Sequence, residues 1–235
     1  DSRPSRPART GVDPGAGGTQ RQSMRALLYS VFGALLLTPT LLVAQAPAWP
    51  DGWKVRTDRE NVDPSSITFE VTEPGFRVVS GPAAIYWRDE QRAAGRYRVE
   101  LETHLFDPEG RREAFGFFFG GRQLEGAGQR YTYFLIREGG EFLLKERDGR
   151  ETSTLVGWTG HPAIVSFAEA ADGVGSVQNV LALEADDSEL RFFVNGAQVT
   201  AIPRSAGRAE GIVGFRVNHQ LNLRISRLAV SPLRR

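Results

Sequence analysis

The chain contains no cysteine, a single methionine (Met24) and three histidines in 235 residues. Without cysteine there are no disulfides, no thiolate metal sites and no cysteine nucleophile. The histidines, His104, His161 and His219, lie far apart, and no H-x-H or H-E-x-x-H spacing joins them, so a histidine-built metal centre has no sequence support. A Gly-x-Ser-x-Gly elbow and a phosphate-cradling glycine loop leading into a helix are also missing. An excess of basic charge is missing too, despite a formal +1. Of 29 basic and 28 acidic side chains, five basic (Arg3, Arg6, Arg9, Arg21, Arg25) and two acidic (Asp1, Asp13) fall in the first 46 residues, leaving about −2 from Pro47 onward. Nucleic acid therefore finds no electrostatic footprint.

What is present begins with an address. From Met24 the chain reads MRALLYSVFGALLLTPTLLVAQAPAWP. Arg25 is a short positive region, Ala26 to Val43 is uncharged and mostly apolar, and Ala44-Gln45-Ala46 has the small-x-small pattern of a cleavage site. Residues 24–46 are expected to be a signal peptide. An uncleaved membrane anchor is the alternative, against which Pro39 interrupts the run. Residues 1–23, rich in Pro, Gly, Arg and Ser, are expected to be a disordered or upstream extension that builds no core. The expected product is one domain, residues 47–235, secreted or periplasmic, with no membrane contact once the leader is removed. A domain of that size buries about 70% of its unfolded surface and needs no disulfide.

The rest of the chain has period two. In GRYRVELETHL, Tyr97, Val99, Leu101, Thr103 and Leu105 point one way, and Arg96, Arg98, Glu100, Glu102 and His104 the other. Similar runs recur roughly a dozen times between turn signals such as EPG, DPEG, EGG, RDG and NG, which predicts an all-β antiparallel two-sheet sandwich or barrel. Only residues 162–171, PAIVSFAEAA, hint at a helix. Asn195-Gly196 predicts a type I′ hairpin in which Val194 faces Ala197, Phe192 faces Val199 and Leu190 faces Ala201. In AFGFFFGG, Phe115, Phe117 and Phe119 share a core face, while Gly116, Phe118 and Gly120 share the other. Those glycines mark either room for packing or a close approach by a ligand.

The strand-rich pattern closing in ELRFFVNGAQV and GIVGFRVNHQLNLRISRLAV resembles concanavalin A-like jelly-roll domains, among them laminin-G domains, family 16 glucanases and secreted 3-keto-disaccharide hydrolase domains. The resemblance implies two stacked sheets of about six strands each. It also implies a final strand beside the first, near Trp53-Lys54-Val55, and a concave face that carries carbohydrate or another ligand.

Two surfaces could carry chemistry. The glucanases of this fold have a Glu-x-Asp-x-Glu strand, and VELETHL offers Glu100, Glu102 and His104 at the same spacing. The third carboxylate is replaced by histidine, which counts against a retaining glycosidase. The other surface is a sugar-binding face, in which rings stack on sugar C–H groups and polar groups fix orientation. Its candidate rings are Tyr86, Trp87, Tyr131, Tyr133, Trp158 and Phe193, and its candidate polar partners are Arg137, His161, Asn218 and His219. The expectation is a ligand-binding domain with no cofactor and no metal. A glycoside hydrolase-like enzyme and a structural module of the cell envelope are the alternatives. Calcium, at the acidic turns of Asp107, Glu109, Asp186 and Asp187, is a lesser option. Oligomeric state is not legible.

Overall fold

The structure, a computed structural model, describes residues 49–168 and 175–233. The expected extension and signal peptide lie outside the described residues, as do residues 169–171 of the 162–171 segment; residues 162–168 form turns and bends rather than a helix.

Among the described residues, fourteen strands form two antiparallel seven-stranded sheets. In spatial order, the first sheet runs β1 (Lys54–Thr57), β4 (Ala84–Ala93), β13 (Gly211–Val217), β6 (Ala114–Arg122), β7 (Arg130–Arg137), β8 (Glu141–Asp148) and β9 (Glu151–Gly160). The second runs β12 (Ala197–Pro203), β11 (Glu189–Val194), β10 (Ser176–Ala185), β5 (Tyr97–Phe106), β14 (Asn222–Pro232), β3 (Phe76–Val79) and β2 (Thr68–Val71). Each sheet thus has one strand more than the resemblance implies. The final strand does not return beside the first: β14 lies between β5 and β3, whereas β1 pairs with β4 at the edge of the other sheet.

Alternation builds the core. Along β5 the residues alternate buried and half-buried without a break, with Tyr97, Val99, Leu101, Thr103 and Leu105 inward. Facing them from the first sheet are Phe115, Phe117, Phe119, Phe134, Ile136, Phe142 and Leu144. Phe134 packs 5.6 Å from Phe117 and 5.1 Å from Phe192, centroid to centroid, stitching the two layers together. Each such ring contributes about 1.5–3 kcal/mol when fully buried.

The Asn195-Gly196 turn has positive φ at both residues, 50° and 84°, as a type I′ hairpin requires. Val194 faces Ala197, but beyond it the register departs from simple alternation. Phe193 pairs with Gln198 and Phe192 with Thr200, so Val199 is the extra residue of a bulge and Leu190 faces Ile202.

Candidate functional site

The outward faces of the two sheets differ in chemistry. On the second sheet, Arg98 pairs with Glu100 (3.1 Å) and Glu184 (2.8 Å), Arg227 with Glu100 (3.0 Å) and Arg191 with Glu184 (3.3 Å). Glu102 accepts from Gln178 (2.8 Å) and lies 3.6 Å from His104. Phe193 is on this face as well, with the Arg98 guanidinium 5.9 Å from its ring centre. Glu100, Glu102 and His104 therefore sit in an ion-paired, half-exposed surface.

The outward face of the first sheet is apolar and aromatic. Ile85, Trp87, Phe118, Tyr131, Tyr133, Leu135, Leu143 and Ile212 form a second cluster, separate from the core between the sheets. Alternation along β7 sends Thr132, Phe134 and Ile136 inward and Tyr131, Tyr133, Leu135 and Arg137 outward. Gly214 on this face gives room for packing. A Cβ on Gly214 would come within 2.5 Å of Phe118 Cε1, because the Phe118 ring lies over that position.

One charged residue of this face is buried. The Arg216 side chain is 7% exposed, and its two terminal nitrogens donate to the two carboxylate oxygens of Asp58, both at 2.6 Å. Arg216 also donates to the Tyr131 hydroxyl (3.3 Å) and lies 5.2 Å from the Tyr133 ring centre. Burial works against the Arg216 charge, but the neighbouring Tyr131 and Asp58 outweigh it and hold its pKa above the usual range. Burial likewise pushes Asp58 up, yet the hydrogen bonds and charge of Arg216 win and hold its carboxyl below the usual range. Both tyrosines are raised by burial, against Arg216, and remain neutral phenols.

Two loops reach over this face. Residues 58–62, following β1, are tied down by the Asp58–Arg216 pair. Residues 123–129, between β6 and β7, reach as far as β1: Leu124 and Gly126 carbonyls accept from Arg56, and Glu125 pairs with Lys54. Trp87 is 1% exposed and donates to Asp89 (3.1 Å).

The opposite end of the same face is more open. Trp158, on edge strand β9, is 39% exposed, and the Arg137 guanidinium sits 4.2 Å from its ring centre. Arg137 is fixed by Glu141 (2.5 Å), which also accepts from Arg112 (2.8 Å). Burial pushes Glu141 up, but the two arginines outweigh it and keep the carboxyl low. The His161 backbone N–H donates to Gly140 O (3.0 Å), placing the residue beside the β7–β8 turn, while its Nδ1 accepts from Ala163 N–H (3.2 Å). Asn218 N–H donates to Ala114 O, Ala114 pairs with Arg137, and His219 lies 3.6 Å from Glu113.

Of the ten candidate binding residues, Tyr131, Tyr133, Arg137 and Trp158 share the outward face of the first sheet, with His161, Asn218 and His219 at the same end as Trp158. Trp87, Tyr131 and Tyr133 are buried on this face, packed into its aromatic cluster, so of its candidate rings Trp158 alone is open to a ligand. Tyr86 lies between the sheets, stacked on Phe215 at 4.6 Å, and Phe193 belongs to the other sheet. Arg216, Asp58, Glu141 and Arg147 were not among the candidates. Arg216 had a visible signal, since in GIVGFRV it alternates with Gly214 and Ile212 rather than with the core residues Val213, Phe215 and Val217. Asp58 had none, because a loop carries no period.

The acidic turns bond within the protein. Asp186 is held well below the usual carboxylate range by the Ser188 and Glu189 backbone N–H groups and pairs with Arg191, and Asp187 pairs with Arg96. Among the described residues no group of three or more His, Asp or Glu is placed to hold a metal ion.

No protein-family model and no curated protein matches this chain. Solved structures do. The chain is similar to the carbohydrate binding module CBM66 from Bacillus subtilis, with a TM-score of 0.55 and 13% identity over 77% of this chain and 95% of that one. It is also similar to a Bacillus subtilis protein of unknown function with a galectin-like fold, at 0.55 and 12% over 78% and 90%. A Bacteroides ovatus GH16 mixed-linkage glucan protein in complex with an oligosaccharide product aligns at 0.52 and 8%, over 76% and 94%. The chain has the concanavalin A-like jelly-roll fold that these share.

Proposed function

We propose that this protein is an exported carbohydrate-binding domain that engages glycans on the outward face of its first sheet, at the Trp158–Arg137 end. The observation that carries this reading is the half-open Trp158 ring, braced on one side by a guanidinium that Glu141 fixes. A planar ring with an accessible side suits sugar C–H groups, and fixed polar groups nearby set orientation. The carbohydrate-binding module and the glucan-bound protein among the structural relatives support a sugar ligand on this fold. Export is supported by the leader pattern of residues 24–46. Among the described residues no helix is long and apolar enough to cross a membrane.

The test is retention on a panel of insoluble polysaccharides. Trp158→Ala is expected to weaken retention about ten- to a hundredfold, the equivalent of roughly 1.5–3 kcal/mol for a lost aromatic contact. Its melting temperature should stay near that of the parent, since Trp158 lies on an edge strand and is far from fully buried. Failure of the parent protein to bind any member of a broad panel would remove the proposal.

A further inference from the structure

At the other end of the same sheet face, a cleft of about 550 Å³ opens between the 58–62 loop, the 127–129 segment and the β8–β9 turn. Four arginines line it, Arg56, Arg59, Arg147 and Arg150, against two carboxylates, Asp58 and Glu60. The carboxylates do not balance the charge. Both oxygens of Asp58 are taken by Arg216, which adds a fifth guanidinium nearby. Glu60 is shared at long range, 3.4 Å from Arg56 and 3.8 Å from Arg150. Arg147 satisfies its donors on backbone carbonyls instead, Gly149 O at 3.1 Å and Asp58 O at 3.5 Å, and Arg56 likewise bonds the Leu124 and Gly126 carbonyls. Hydrogen bonds to carbonyls position a guanidinium without neutralising it. The cleft is thus locally positive in a chain that carries about −2 from Pro47 onward.

We propose that this cleft binds an anionic group of the glycan, a carboxylate or a sulfate ester, so that the preferred ligand is an acidic polysaccharide. This deepens the carbohydrate-binding reading and rests on it. Planar guanidinium donors match the paired oxygens of both groups, and partial enclosure by two loops limits screening. Tyr131, opposite Arg147 in the ladder, and Arg137 lie six residues apart on β7, about 20 Å at strand rise. One extended chain can therefore reach from the cleft to Trp158.

The experiment uses the full chain in affinity electrophoresis against matched polymers: galactan, polygalacturonate and carrageenan; cellulose and carboxymethylcellulose; dextran and dextran sulfate. Binding to a charged member at least tenfold tighter than to its neutral counterpart is expected. Uronate-bearing against sulfated polymers then tells carboxylate from sulfate. Arg59 is exposed and the Arg150 side chain is 88% exposed, so R59A/R150A should fold normally. It is expected to remove that tenfold preference and leave neutral-polymer binding intact, while Arg227→Ala, on the charged outside of the second sheet, changes neither. Equal affinity for charged and neutral members, or a preference untouched by R59A/R150A, overturns the inference. Neutral-polymer binding that is lost in Trp158→Ala but shows no charge preference overturns the inference while leaving the carbohydrate-binding reading in place. Absence of binding to every polymer overturns both.

Discussion

Arg216 is the residue on which the aromatic face depends. It stands on a central strand, buried, and its charge is tolerated because Asp58 meets it with two hydrogen bonds. Removing one member of such a pair leaves the other charge stranded and costs about 3–5 kcal/mol, more than most surface changes. Asp58→Asn is therefore expected to lower stability by an amount of that order and to loosen the 58–62 loop. The effect has a definite pH dependence. The Asp58 carboxyl is depressed in the folded state, so its contribution is present above the unfolded carboxylate pKa of about 3.9 and is lost as pH falls through the folded value. Denaturant unfolding of parent and Asp58→Asn should thus differ most near pH 6 and converge as pH drops below about 4. A difference that is constant from pH 6 to pH 3 would show that the pair does not titrate as argued. The arginine could be read from the alternation of GIVGFRV. Its partner could not, because the contact spans 158 residues and depends on a loop.

At the scale of the strand, the glycines of β6 and β13 show why pattern alone did not tell room for packing from a close approach by a ligand. Gly116 and Gly214 lie on the outward face, as alternation requires, but the sequence does not say what fills the space above them. At Gly214 the answer is the Phe118 ring. A methyl group there would come within 2.5 Å of Phe118 Cε1 and 2.3 Å of the Tyr86 carbonyl. The carbonyl is backbone on a paired strand and cannot step aside. Gly214→Ala is expected to destabilise the protein by about 1–3 kcal/mol, seen as a lower denaturant midpoint with an unchanged slope. An unchanged midpoint would mean that the β4–β13 pair is looser than this packing implies. The β11–β12 hairpin makes the same point about register. Asn195-Gly196 fixed the turn, but the bulge at Val199 left no trace, since VTAI alternates equally well in either register.

The two sheets make a sandwich with two unlike outsides, and this division was only half legible. Alternation in GRYRVELETHL announced the charged outside of the second sheet directly. The outside of the first sheet was harder to see. Both faces of β6 and β7 are buried, so their strands read as nearly continuous hydrophobic runs. The asymmetry bears on where any chemistry can reside. Glu100, Glu102 and His104 belong to the charged outside, where Arg98, Arg227 and Gln178 already bond the carboxylates. Half-exposed pairs of this kind contribute at most about 1 kcal/mol each. The double variant Glu100→Gln/Glu102→Gln is therefore expected to keep its melting temperature within a few degrees and to bind polysaccharide as the parent does. If a polysaccharide-cleaving activity is found in the parent and vanishes in this variant, the working surface is the second sheet, and the aromatic face of the first sheet serves packing alone. If binding persists in the double variant and is lost in Trp158→Ala, the two outsides have divided their roles as their chemistry suggests: one keeps the domain soluble and the other meets the ligand.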